Sequence, residues 1–227
     1  MATEGESRRA SDRVHEALRD QILAGTLAPG EAVPSERTLA ETHGLHRQSV
    51  REALKRLEQA GLVQISHGGA TRVLDWRDMA GLEVLADLAR EGAGLPPADL
   101  TRSIIEMRAS IGIDAARLCA ERAGDEVLAE VNRLAGEAAV HVGGPIDALE
   151  ERYAAMWRTV VIGSENVAYR LAFNSLLRAL PSRPEMSAVV RPGEAAAIRA
   201  FGAAMLARDV EAATATAQVL LAAAALA

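Results

Sequence analysis

Apolar residues recur with helical spacing from early in the chain. Val14, Ala17, Leu18 and Ile22 fall on one face of an amphipathic helix, with Ser11 or Asp12 placed to cap it and Gly25 to end it. Leu27-Ala28-Pro29-Gly30 reads as a turn, since proline presets one backbone angle and glycine permits the unusual one. A second short helix is expected after Ser35, carrying Leu39 and Ala40 inward and closing at Gly44. A third spans about 47–60, with Val50, Ala53, Leu54 and Leu57 as its buried stripe and Gly61 as its stop. Two short β-prone pieces, 62–66 and 71–74, flank His67-Gly68-Gly69-Ala70, which is a hairpin signal. Three helices followed by a hairpin is the plan of a winged helix-turn-helix.

The texture changes after Asp75. Helical periodicity continues at about 77–91, 97–122, 125–141, 146–162, 165–180, 192–207 and 209–225, punctuated at 92–97, 143–145 and 181–184 by glycine and proline. Neither strand-like alternation nor a fixed-period repeat is evident in this half. The fold class expected is therefore mainly α: a winged helix-turn-helix with a small β-hairpin wing over residues 1–75, then an all-helical bundle over 76–227.

Composition sharpens this picture in three places. Apolar residues make up 49% of the 227, enough for a sizeable core, yet aromatics are only 3%, so alanine-rich helix packing must supply it. The single cysteine, Cys119, sits in a helical pattern with Ile111, Ala115 and Leu118 and reads as a small buried hydrophobe. Without a second cysteine no internal disulfide forms, which suits a reducing cytoplasm, and no stretch is apolar enough to be expected in a membrane. Net charge is −6, but residues 8–74 carry ten basic and eight acidic side chains, whereas those from Asp75 onward carry fifteen and twenty-one. A polyanion site in the first part must rest on placed residues rather than bulk charge.

The third helix offers such placement. Arg47, Arg51 and Lys55 recur every four residues opposite its apolar stripe, with Gln48 and Ser49 at its start. A helix of this kind fits the major groove of B-DNA, where arginine pairs bidentately with guanine O6 and N7. Gln48 and Ser49 are placed to reach phosphates or base edges, and the helix start itself favours phosphate. Arg37 opens the second helix close to the same backbone, and His67 and Gly68 sit at the wing tip, where glycine permits close approach.

Leu27-Ala28-Pro29-Gly30, Pro34-Ser35-Glu36-Arg37-Thr38-Leu39-Ala40 and Arg47-Gln48-Ser49-Val50-Arg51-Glu52-Ala53-Leu54 closely resemble the DNA-binding domain of the GntR superfamily. The wing sequence from Ile65 to Val73, with Trp76 and Gly81-Leu82-Glu83-Val84-Leu85, is similar to the superfamily's FadR subfamily. The resemblance implies a cytoplasmic, homodimeric transcriptional regulator that is not an enzyme. It implies operator-DNA contacts at Arg37, Arg47, Arg51, His67 and Gly68, which join Gln48 and Ser49 at the helix start; His46 stands where the family has a serine that meets phosphate, and is counted with them. The second domain would dimerise and bind a small-molecule effector.

Many relatives with such a domain hold a metal through one aspartate and three histidines. Anchored on Gly163-Ser164-Glu165-Asn166, those positions fall here on Tyr153, Trp157, Ile198 and Leu220, three of them plainly apolar. The resemblance thus implies a metal-free site without cofactor, suited to a fatty acyl-CoA or fatty acid. Arg108, within Ile104-Ile105-Glu106-Met107-Arg108, matches an arginine that meets effector carboxylates in related domains; an ion pair with a neighbouring acid is the alternative. A small organic acid as effector, or a regulator that needs no ligand, remain as other readings. No P-loop, dinucleotide fingerprint, metal-ligand cluster or nucleophile–base pair is apparent in the sequence.

Overall fold

The computed structural model describes residues 4–66, 68–88, 98–179 and 194–222. The chain divides into two compact units, Met1–Leu88 and Ala89–Ala227. The expected glycine and proline breaks at 92–97 and 181–184 lie outside the described residues.

The first unit opens with α1 (Glu4–Leu23), followed by α2 (Glu36–His43) and α3 (Arg47–Gln59). Val14, Leu18 and Ile22 of α1 and Val50, Leu54 and Leu57 of α3 are buried where the two helices pack, each contributing roughly 2 kcal/mol by leaving water. Helix α1 begins earlier than a cap at Ser11 or Asp12 would have it. Ser11 is buried within the helix, and Asp12 instead accepts from Arg56 Nη1 at 2.6 Å, tying α1 to the last turn of α3.

The wing is an antiparallel pair, β1 (Val63–Gln64) and β2 (Arg72–Val73), with Val63 opposite Val73 and Gln64 opposite Arg72. The segment read as a turn from sequence also feeds this sheet. Ala32 bridges to Arg72, Gly30 N–H donates to Val73 O at 2.8 Å, and Val33 N–H donates to Thr71 O at 2.8 Å. Glu58 Oε1 accepts the Ile65 amide at 2.8 Å, so the wing starts from a fixed point on α3.

Two short helices follow, α4 (Trp76–Met79) and α5 (Val84–Leu88), where one helix over 77–91 was expected. The interruption falls at Ala80–Gly81, where the chain turns extended after α4 and glycine weakens any continuation. Both pieces belong to the first unit, so the division lies beyond the boundary expected at residue 75. A Cβ on Gly61 would meet Met79 O at 2.5 Å, and Asp87 of α5 pairs with buried Arg19 of α1 at 3.2 Å.

The elements of the second unit among the described residues are all helices: α6 (Ala98–Arg122), α7 (Asp125–Val140), α8 (Ile146–Gly163), α9 (Val167–Ala179), α10 (Ala195–Leu206) and α11 (Val210–Leu221). Helix α7 packs between α8 and α10, while α6 packs on α8, α9 and α11. Alanine lets these helices approach closely, and Ala115, Ala116, Ala135, Ala138, Ala213 and Ala217 are all buried. Cys119 joins that core, its thiol pushed up to about 12 by burial, so it stays protonated and unreactive. No described helix is long and apolar enough to cross a membrane.

Candidate nucleic-acid interface and effector site

Helix α2 is held rigidly at both ends. Ser35 Oγ accepts the Thr38 amide at 3.1 Å, and Gly44, in the left-handed region at φ 64°, returns its own amide to the carbonyls of Ala40 and Glu41. Arg37 lies exposed on α2 and reaches Glu41 one turn on, at 3.3 Å.

Helix α3 presents a different start. His46 is in N-cap position with extended backbone but makes no side-chain cap, and no acidic residue occupies the first turn. His46, Arg47, Gln48, Arg51 and Lys55 are all exposed. Ser49 departs from that group: it is 2% exposed, and its amide is committed to His46 O at 3.0 Å. It sits one turn before Ala53, on the buried stripe. The arrangement leaves the positive end of a helix, two arginines, a lysine and a glutamine facing solvent together.

Arg51 forms a two-point ion pair with Glu36 at the start of α2, Nε to Oε1 at 3.1 Å and Nη2 to Oε2 at 2.8 Å. That pairing holds the Glu36 carboxyl below the usual carboxylate range. The partnership lay outside what the sequence suggested, because the two residues stand on different helices. At the wing, Gly68 is exposed with φ 79°, a conformation that favours glycine. His67 lies outside the described residues.

In the second unit, Tyr153, Trp157, Ile198 and Leu220, from three helices, fall into one buried cluster. The Tyr153 and Trp157 rings meet edge-on at 6.2 Å, and Trp157 stacks on Phe201 at 5.3 Å. The Tyr153 hydroxyl makes a long hydrogen bond to Leu220 O at 3.4 Å. Arg108, half-buried on α6, donates to Tyr153; desolvation lowers the Arg108 pKa, and the phenol opposes that shift. Burial likewise raises the Tyr153 pKa, against the pull of Arg108. Trp157 Nε1 is buried with no hydrogen-bond partner among the described residues. Phe201 went unnoticed in the sequence, yet it follows Ile198 by three residues, the spacing of a shared helix face.

A capped helix, an open recognition helix and a β-wing define a winged helix-turn-helix DNA-binding protein with a helical C-terminal domain. The family of bacterial regulatory proteins known as gntR matches residues 10–73. The HTH-type transcriptional regulator Mce2R of Mycobacterium tuberculosis is 37% identical over 200 residues, covering 88% of this chain and 81% of that protein. The fatty acid metabolism regulator protein of Escherichia coli is 30% identical over 164 residues, 71% of this chain and 65% of that protein. Among solved structures, Lar of Listeria monocytogenes shares the fold with a TM-score of 0.58 at 14% identity, over 98% of this chain and 94% of that one. The chain belongs to the GntR family. It is a DNA-binding transcriptional regulator, not an enzyme.

Proposed function

We propose that this regulator binds double-stranded operator DNA as a homodimer and changes its affinity when a fatty acyl-CoA or fatty acid enters the second unit. The DNA contacts are assigned to Arg37, His46, Arg47, Gln48, Arg51 and Gly68, with His67 added on the sequence resemblance alone. Ser49 is left out, since its hydroxyl is buried and its amide is already bonded. A dimer reads two half-sites at a fixed separation, so a ligand that alters the spacing of two recognition helices alters affinity.

The observation that carries the effector reading is the Arg108–Tyr153 pair set against an interior otherwise built from alanine, leucine, valine and aromatic rings. A guanidinium and a phenol suit a carboxylate or thioester head, and the apolar residues suit its tail. Similarity to a fatty acid metabolism regulator supports the same class of ligand. The same polar pair favours a second reading, a small organic acid held at Arg108 without a long tail.

The test is fluorescence anisotropy with duplex DNA from upstream of this chain's own gene, at two salt concentrations, with and without palmitoyl-CoA or palmitate. Binding through six phosphates should weaken on the order of 1000-fold between 50 and 200 mM salt. Release by the acyl ligands supports the leading reading. Binding indifferent to them, but answering to short-chain acids and losing that answer in Arg108→Ala, shifts the assignment to the second.

A further inference from the structure

Arg51 is held before any DNA arrives. Its two bonds to Glu36 use one edge of the guanidinium, formed by Nε and Nη2. Glu36 is itself anchored, being the first residue of α2, whose start is fixed by Ser35. Helices α2 and α3 pack on each other, so the carboxylate and the arginine backbone stand in a set relation. Arginine has five N–H donors in a planar fork. With the side edge taken, the rigid planar fork directs its end-on edge, Nη1 and the second hydrogen of Nη2, away from Glu36. Guanine offers O6 and N7 to such a two-donor edge. Among the described residues Arg37 has a single polar contact, at 3.3 Å with Glu41 of its own helix, and no comparable brace from another helix.

We infer that Glu36 is a positioning residue for base readout: it braces Arg51 on α3 so that the end-on edge reads one guanine in each half-site. A free arginine spreads over many rotamers and settles readily on phosphate; a braced one loses less freedom when it meets a base. The carboxylate also lies beside the surface assigned to the DNA backbone, where it repels phosphate. Both effects raise the ratio of specific to non-specific binding rather than affinity as such. The inference rests on the placement of α3 in the major groove proposed above.

The test is selection from a random duplex pool with the full chain as wild type, Arg51→Ala, Glu36→Gln and Glu36→Ala, each checked by thermal melting. Arg51→Ala should flatten the base preference at one guanine per half-site. Both Glu36 variants should flatten that same position, by roughly 5- to 50-fold, while other positions keep their preference and binding to unrelated duplex is unchanged or tighter. Full preference retained at that guanine in both Glu36 variants overturns the brace, and so does an equal loss at every position, the mark of a merely structural role. If Arg51→Ala itself leaves every preference intact, the groove placement of Arg51 fails and the brace with it.

Discussion

Helices α2 and α3 lie next to each other in the chain and in space, yet they begin in opposite ways. The Thr38 amide in the first turn of α2 meets Ser35 Oγ, Glu36 stands in the same turn, and the helix ends on a left-handed Gly44. Helix α3 follows an uncapped His46 and carries arginine and glutamine where an acid would favour the dipole. Its far end, by contrast, is well held, by Asp12 on Arg56 and by the Ile65 amide on Glu58. A helix finished at one end and open at the other has its open end free for something outside the chain, and a phosphate fits it. The completed helix serves as the support: α2 gives Glu36 to Arg51 and fixes the approach of its neighbour.

The largest effect should come from the open helix. Arg51→Ala is expected to cost about 1–3 kcal/mol of operator binding and to relax specificity at one position, with melting almost unchanged because the side chain is exposed. Its counterpart on α2, Arg37→Ala, should weaken binding evenly across sequences and reduce the salt slope by about one unit. Anisotropy titrations against two duplexes at two salt concentrations separate the two. Equal behaviour of both variants would erase the distinction drawn between the helices.

The held end of α3 has a pH dependence. His15 on α1 has its pKa lowered from 6.5 to about 4, first by burial and then by Arg56 and Arg19, with Asp12 and Asp20 opposing. Between those values the unfolded chain takes up a proton that the folded one refuses. Stability is therefore full above pH 6.5, falls as pH drops, and has lost this contribution by about pH 4. The loss should be roughly 1–2 kcal/mol once partial exposure is allowed for. His15→Gln should flatten the melting profile across this window; an unchanged profile would assign the acid sensitivity to other groups.

These helices also show what a sequence makes legible. Ser35 as a cap, Gly44 and Gly61 as stops and the α3 stripe are local signals, and each stands where its residue type predicts. Ser49 was legible too: it precedes Ala53 by one turn on the buried face, although it also stands inside a motif of DNA-contact residues. Long-range partnerships left no such mark. The pairing of Glu36 with Arg51, the bridge from Ala32 to Arg72 and the stack of Trp157 on Phe201 join residues whose spacing is set only by the packed fold. In the second unit, helix positions were readable from periodicity. The convergence of Tyr153, Trp157, Ile198 and Leu220 came from overlaying a family pattern, because an alanine-rich helix gives no hint of which neighbour it will meet.

Capping separates the two helices again at a smaller scale. Ser35→Ala removes the hydroxyl that accepts the Thr38 amide and should cost about 1 kcal/mol of stability, some 2–4 °C of melting temperature in a chain of this size. It should also loosen Glu36, so a modest loss of discrimination at the Arg51 position ought to accompany it. A fall in melting temperature with no change in discrimination would separate the start of α2 from the support it gives to Arg51.

The last test reverses the direction. His46→Asp would supply α3 with the cap and the acid it lacks: the aspartate oxygen can accept an amide in the first turn, and its charge complements the helix dipole. For the chain alone this is an improvement, expected to add about 0.5–1 kcal/mol of stability. For the DNA complex it is the opposite, because the new carboxylate occupies the donors left for phosphate and repels the backbone at that point. Operator affinity should drop severalfold while melting temperature rises, and high salt, which screens the repulsion, should narrow the gap. Binding and stability moving apart would mean that the open start of α3 is kept for the DNA. If both rise together, the bare start of α3 is only a missing cap, and the phosphate contact must be sought at Arg37 and the wing.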